Sequence, residues 1–408
     1  MTSRAAVPVL VAMMLLTGVC NTLLTKYQDM QCVRNCDGDL HKRKLFNQPV
    51  LQTAQMFVGE MGCWLVIGLI ALYGRFFGSS GSMAAEYQAV NSNQTTDVAP
   101  EEQEENEEYL GGGKRNILKG FGVALLALPA ICDILGTTLM NAGLLLVAAS
   151  IYQMTRGALV LFVGLFSVIF LRRQLFLFQW LALVGVVTGV AVVGLAGAVW
   201  PDEKINRVGE SSNGREGLSD AAKAVVGVLL IAGAQIFTAT QFVLEEFILE
   251  NSSIEPIVVV GWEGLFGFIV TIAGMIVMHL IVGRTEAGQY GTFDIVEGWR
   301  QMTENSSIWI TSILIMISIG GFNFFGLSVT RTVSATSRST IDTCRTLFIW
   351  IVSLGLGWES FKGLQIVGFA MLVYATFLFN GIVQPPLRSL RPEEEISPLL
   401  QEDPIEHL

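Results

Sequence analysis

A few ionisable residues lie inside stretches that are otherwise apolar, and these residues could do chemistry. Arg156 and Asp133 are the only charges in the run 120–171. Glu60 interrupts the apolar run 51–73, and Glu263 interrupts 256–282. Asp342 and Arg345, together with Arg338, stand toward the start of 335–358, and their spacing of three puts Asp342 and Arg345 on one helical face. A charge at membrane depth costs roughly 3 kcal/mol even on insertion scales, so such residues face a cavity and a partner. Two roles fit Arg156, Asp342 and Arg345. They could form a central polar site, in which the two arginines attract an anionic group and Asp342 balances them when the site is empty. They could equally form a structural ion pair with no ligand. Both roles predict that Asp342→Ala damages the protein. Tyr152, Gln153, Asn323 and Gln241 are polar candidates for a cavity wall.

Glu60, Asp133 and Glu263 also admit two roles. Each could exchange a proton during a transport cycle. Each could instead hydrogen-bond a neighbouring helix, which the glycines beside Glu60 and Glu263 would allow to approach closely. Lys26, Glu245 and Glu246 fall near the predicted helix ends, where long side chains reach toward the interface.

Other chemistries lack their residues. No phosphate-binding loop, Gly-x-Ser-x-Gly elbow, HExxH pair or CxxC pair occurs, which argues against an ATP-driven pump and against an enzyme. The three histidines, His41, His279 and His407, cannot build a metal site, and no cofactor is expected. Cys20, Cys63, Cys132 and Cys344 lie in apolar runs and suit packing. Cys32 and Cys36 share a polar loop and could form a bridge if that loop faces a lumen.

The elements that must hold these residues follow from composition. The chain has 408 residues, 52% apolar and only 15% charged, which argues against a soluble globular protein. The net charge of −10 comes from two stretches, residues 101–108 and the tail 388–408; elsewhere acids and bases balance. With no basic face, a nucleic-acid partner is excluded. A bilayer core needs about 20 mostly apolar residues per helix. Ten such spans can be counted: 7–24, 51–73, two within 120–171, 175–200, 224–244, 256–282, 308–330, 335–358 and 363–384. This predicts an all-α membrane protein with a first five-helix repeat (1–200), a linker (201–217), a second five-helix repeat (218–384) and a cytosolic tail (385–408). The loop 78–116 and the tail are too polar to fold on their own and are expected to be disordered.

An offset of 186 relates the halves. It carries Ser167 onto Ser353, Gln179 onto Gln365, Ala182 onto Gly368 and Ala148-Ala-Ser150 onto Ser334-Ala-Thr336. It also carries Arg156 onto Asp342, and Arg173 onto Glu359. An odd number of helices per half would invert one half relative to the other. Arg156 and Asp342, in the fourth and ninth spans, would then face each other near the pseudo-twofold axis. Gly185 and Gly189, four apart in the fifth span, make a packing motif that could serve a homodimer or the bundle itself.

Tyr152-Gln-Met-Thr-Arg-Gly157 with Gly164-Leu-Phe-Ser167, Glu263-Gly-Leu-Phe-Gly267, and Ser334-Ala-Thr336 with Asp342 and Arg345-Thr346 resemble one group. It is the F subfamily, member-six type, of solute carrier family 35, within the drug/metabolite transporter superfamily. The resemblance covers about residues 7–384. It implies the inverted-repeat fold with ten transmembrane helices and both termini cytosolic, and wider relatives that carry nucleotide-sugars. The expected function is secondary-active transport of a small polar or anionic metabolite across an endomembrane by alternating access. A non-transporting membrane scaffold, acting through its loop and tail, is the alternative.

Location is carried by the tail. Basic residues fall almost evenly on the two sides of the predicted spans, so the positive-inside rule does not choose an orientation. Glu395 followed by Leu399-Leu400 fits an acidic dileucine signal read by cytosolic sorting adaptors, which points to a lysosomal or vacuolar membrane. A Golgi or mitochondrial membrane is the alternative. Of the sequons at Asn93, Asn251 and Asn305, only Asn305 would face the lumen if the N-terminus is cytosolic, which makes it the glycosylation candidate.

Overall fold

The structure is a computed structural model that describes residues 6–36, 44–77, 120–144, 146–147, 152, 155–199, 217–252, 254–285, 291–357 and 363–385. The loop 78–116, the tail with Glu395, Leu399 and Leu400, nearly all of the linker, and Gln153 lie outside these residues.

The apolar runs form helices. In chain order they are α1 (Ala6–Asp29), α2 (Pro49–Phe77), α3 (Ala127–Leu144, after a 3₁₀ turn from Gly120), α4 (Leu159–Phe170) and α5 (Leu177–Val199). There follow α6 (Gly217–Asn251), α7 (Pro256–Met278, continued by a π turn to Gly283), α8 (Ile295–Glu304), α9 (Ser306–Thr332), α10 (Ala335–Gly355) and α11 (Gly363–Phe379). Among the described residues, six helices are long and apolar enough to cross a membrane: α1, α2, α3, α6, α7 and α9. Apolar stretches of α4, α5 and α11 are shorter. Among the described residues the protein is therefore an all-α membrane protein apart from one small hairpin.

Three features depart from the sequence expectations or resolve them. The helix predicted over 224–244 runs on to Asn251, which takes Glu245 and Glu246 into the body of α6. Both are buried, at 1% exposure, and do not reach toward an interface as expected. Secondly, an amphipathic helix, α8, precedes α9. Asp294 caps it by accepting a hydrogen bond from the Glu297 backbone N–H at 3.3 Å. Thirdly, Cys32 and Cys36 are joined in a disulfide. It staples the α1–α2 loop beside a short antiparallel ladder of β1 (Cys32–Arg34) and β2 (Lys44–Leu45).

Packing partners are mixed between the two halves of the chain. α1 lies on α9, while α3 lies on α6. α2 packs against α7 and α9, α4 against α6 and α10, and α5 along α11. Gly185 and Gly189 belong to this last seam. A Cβ on Gly189 would stand 2.9 Å from the Gly368 carbonyl oxygen and from the Leu372 backbone nitrogen, and one on Gly185 would stand 3.1 Å from the Ala375 Cβ. The glycine motif thus brings α5 and α11 into backbone contact within one chain.

Both ends of the bundle are tied. At the end carrying the disulfide hairpin, Gln28 donates to Ser312 Oγ (2.8 Å) and to the Ile308 carbonyl oxygen (3.2 Å). Gln52 donates back to Gln28 Oε1 (3.0 Å) and to Asp29 (2.6 Å), which closes a polar seam across α1, α2 and α9. Glu297 of α8 caps the same end through Arg300 (2.8 Å) and Arg34 (3.5 Å). Burial opposes the charge on Glu297, but hydrogen bonds from Gln301 and Arg300 and the charges of Arg300 and Arg34 hold its carboxyl below the usual range. The cap therefore keeps its ion pairs into mildly acidic pH. At the opposite end, Arg173 pairs with Glu246 (2.9 Å) and Glu250, and Arg331 donates to the Ile254 carbonyl oxygen (3.0 Å).

Candidate functional site

Six helices send polar side chains into one cavity in the bundle. α2 supplies Glu60, α3 Asp133, α6 Gln241 and Glu245, α7 Glu263, α9 Asn323, and α10 Arg338. Phe57, Ala130 and Leu327 complete the lining. The space is small, on the order of one water molecule.

Local sequence explains how these groups arrive. Ser334 caps α10 by accepting from the Ser337 backbone N–H (3.0 Å), which fixes the first turn of that helix and aims Arg338 inward. Gly264 lets α7 lie against α2: a Cβ there would come within 2.7 Å of the Glu60 Cβ and 2.8 Å of the Met61 backbone nitrogen. Glu60 and Glu263 therefore enter the cavity from adjoining backbones.

Arg338 is the cation of the site, 2% exposed, and is ion-paired with Glu245. Its guanidinium also lies 4.2 Å above the Phe242 ring. Gln241 donates to the other oxygen of Glu245 (3.0 Å), Asn323 donates to Glu60 (2.6 Å), and Thr137 approaches Asp133 at 3.5 Å. Glu263 is 7% exposed, and its Oε1 has no hydrogen-bond partner among the described residues. The Nε of Arg338 is likewise buried without a partner. Four carboxyl groups thus surround one guanidinium where water is scarce, and the excess negative charge must be neutralised. Among the described residues no group of three His, Cys, Asp or Glu is placed to hold a metal ion.

A second polar group lies on α10. Arg345 Nε stands 3.2 Å from Asp342 Oδ1, and its guanidinium lies 4.8 Å above the Phe322 ring. Arg345 is buried at 8% exposure. Arg156 and Tyr152 are within electrostatic reach of it, and Tyr152 Oη contacts Met140 Sδ at 3.1 Å.

Some of the candidate residues gather and others separate. Glu60, Asp133 and Glu263, each placed alone in its own span, meet in one cavity. Asn323 joins them rather than Arg156. Among the described residues no ion pair links Arg156 to Asp342; the cation beside Asp342 is Arg345. The cause lies in the crossing of α4 and α10. Ser167 in the last turns of α4 meets Thr336 in the first turn of α10 (3.1 Å), so Asp342, six residues further along α10, comes level with the first turn of α4 while Arg156 precedes that helix. Arg156 and Asp342 are therefore staggered along the two helices. Asn305 caps α9 through its Oδ1, which accepts from the Ser307 backbone N–H at 3.0 Å. From sequence, Arg338 is only one of three charges toward the start of its span and Glu245 a residue near a helix end, and neither is placed in a site. A partial signal is present, since Phe242, Ile248 and Leu249 lie three and four residues from Glu245, and Ala335 and Ile341 three residues from Arg338.

The chain has recognisable relatives. The sequence profile of nucleotide-sugar transporters matches residues 98–321. Solute carrier family 35 member F6 of Homo sapiens is 35% identical over 383 residues, covering 93% of this chain and 90% of the human protein. The chain belongs to the solute carrier 35 family of nucleotide-sugar transporters. The F6 protein of Pongo abelii is 36% identical over 95% of the chain and 93% of its own length. An uncharacterized protein of Schizosaccharomyces pombe is 35% identical over 92% of the chain and 97% of its own length. One crystal structure, 12% identical, superposes with a TM-score of 0.56 over 92% of this chain and 96% of that one, a likeness of fold alone. As a solute carrier 35 protein, the chain is a membrane solute transporter, and the cavity and the α10 charges lie inside its transport fold.

Proposed function

We propose that the chain is a secondary-active transporter of an endomembrane, moving a small polar or anionic metabolite by alternating access of two inverted five-helix repeats. The observation that carries this is the gathering of Arg345, Asp342, Arg338 and four carboxyl groups inside an apolar helical bundle, most of them buried, at a cost that a polar cargo or a coupling ion would reward. Packing supports the repeat. Exchanging the halves in helix order, α1–α5 for α6, α7, α9, α10 and α11, turns the α1–α9 contact into the α6–α3 contact and returns α2–α7, α4–α10 and α5–α11 onto themselves. Arg345, with Arg156 in reach, supplies the positive field for an anionic group, and Asp342 balances it in the empty state.

The test is flux. Purified full-length protein in liposomes, offered labelled nucleotide-sugars and other small anionic metabolites one at a time, is expected to take up at least one of them. Arg345→Lys, which keeps a cation beside Asp342 but loses the planar guanidinium, should lower that uptake tenfold or more while leaving the protein folded. Uptake equal to that of protein-free liposomes for every compound tried would reject the transporter reading.

Orientation and address belong to the same proposal. A disulfide at Cys32–Cys36 suits an oxidising lumen and leaves both termini in the cytosol. Tags placed at residue 95 and at the C-terminus should be reached by antibody when only the plasma membrane is permeabilised, and a tag near residue 210 should not. Residues 95 and 210 on one side would mean a miscounted span. Changing Leu399 and Leu400 to alanine should send the protein from the lysosomal or vacuolar membrane to the cell surface, seen by surface biotinylation. An unchanged location would remove the tail as its address.

A further inference from the structure

We propose that the cavity of Glu60, Asp133, Glu245 and Glu263 is a proton-coupling site, in which Glu263 exchanges the proton and Arg338 divides its guanidinium between Glu245 and Glu263. This inference rests on the transporter reading for its purpose, and on the geometry of the cavity for its content.

The charge balance comes first. One guanidinium cannot neutralise four carboxylates, and among the described residues no group of three His, Cys, Asp or Glu is placed to hold a metal ion, so the counter-charge assigned here is protons. Which carboxyl group exchanges its proton follows from the hydrogen bonds. Glu245 holds Arg338 and Gln241, Glu60 holds Asn323, and Asp133 faces Thr137. Glu263 alone of the four makes no hydrogen bond among the described residues, and its Oε1 is fully buried in a side chain that is more than nine-tenths buried and lines the cavity. An unpartnered buried carboxylate oxygen is costly, and a neutral carboxylic acid is far less so.

The counterpart lies in the same cavity. Arg338 uses one terminal nitrogen on Glu245 and leaves its Nε without a partner. When the proton leaves Glu263 for water, the new carboxylate becomes a ligand for that spare donor. When the proton returns, Arg338 belongs to Glu245 alone. The remaining charged and titratable groups around Glu263 are Glu60 and Cys63 from α2 and Asp133 and Cys132 from α3, none of which supplies a positive charge.

Movement of Arg338 also has an outlet. Glu246, next to Glu245 on α6, accepts from the Ala335 backbone N–H at the start of α10 (3.1 Å) and pairs with Arg173 from the α4–α5 turn. The residue that holds the inner cation and the residue that ties this end of the bundle are thus neighbours in sequence. A shift of Arg338 toward α7 pulls on the first turn of α10, where that tie is made.

The experiment is an infrared difference spectrum of the full chain in lipid, taken between neutral and mildly acidic pH. The wild type should gain the carbonyl band of one protonated buried carboxyl group, and Glu263→Gln should lose that band. Glu245→Gln, which frees Arg338 for Glu263, should require about tenfold more protons for half of the band to appear. A wild type without the band, or a Glu263→Gln variant that keeps it whole, overturns the proposal. If Glu263→Gln does not fold, Glu263→Asp decides: it retains a carboxyl group in a changed setting, so its band should move in frequency, and an unmoved band overturns the assignment. Because the spectrum needs no substrate, its failure is separable from that of the transporter reading. Flux without the band rejects the proton site alone, and the band without flux rejects transport alone.

Discussion

Arg338→Ala is expected to lose most of the folded protein from the membrane, at a cost on the order of 3–5 kcal/mol. The substitution leaves Glu245, 1% exposed, with Gln241 as its remaining hydrogen-bond donor and no cation, beside Glu60, Asp133 and Glu263 in the same cavity. It also removes the cation above Phe242 and opens a void where a large, fully buried side chain had been. Glu245→Ala should be about as severe, because it strands the guanidinium instead. The double variant Arg338→Met, Glu245→Leu separates charge from packing. Replacing a buried ion pair by apolar groups of similar volume is often neutral or stabilising, so the double variant should recover much of the folded protein. Size-exclusion profiles in detergent would measure recovery. A double variant as unstable as the sum of the singles would mean that Arg338 and Glu245 act independently.

The second large effect is at Asp342. Asp342→Ala leaves Arg345 buried over the Phe322 ring without its carboxylate and should cost a similar 3–5 kcal/mol. Asp342→Asn keeps the shape and should be milder. The charge exchange Arg156→Asp with Asp342→Arg discriminates further. It would restore folding if those two side chains formed the pair. With Arg345 beside position 342, the exchange sets two guanidinium groups three residues apart, so no rescue is expected. Recovery of stable protein in that double variant would show that Arg156 and Asp342 meet after all.

Much of this architecture was legible in the sequence, for a physical reason. A bilayer admits few solutions, so uncharged windows located α1, α2, α7 and α9 to within a few residues. The same criterion failed wherever a charge was buried. A span counted as ending at Leu244 stops before Glu245 because hydropathy cannot tell a paired carboxylate inside a bundle from one at the water interface. Recognising Glu245 as internal requires its partner, and Arg338 is 93 residues away. The amphipathic α8 escaped because its faces cancel in any average over its length. The 186 offset was useful for matching helices and misleading for contacts: it put Arg156 over Asp342, while the crossing of α4 with α10 staggers them. Symmetry relates environments and does not by itself bring side chains together.

The seam at the hairpin end has a consequence for how the chain is made. Gln28 reaches its partner Ser312 across 284 residues, and Glu60 reaches Asn323 across 263. Helices α1 and α2 are therefore synthesised and inserted long before α9 exists to satisfy them. Throughout that interval Gln28 lacks its acceptors on α9 at the hairpin end, and Glu60 lacks Asn323 within the apolar run of α2. High sequence separation of this kind makes the last assembly step slow and leaves the nascent protein dependent on membrane chaperones. A chain truncated before residue 306 never acquires the missing wall. It should be cleared by quality control rather than accumulate as a stable half.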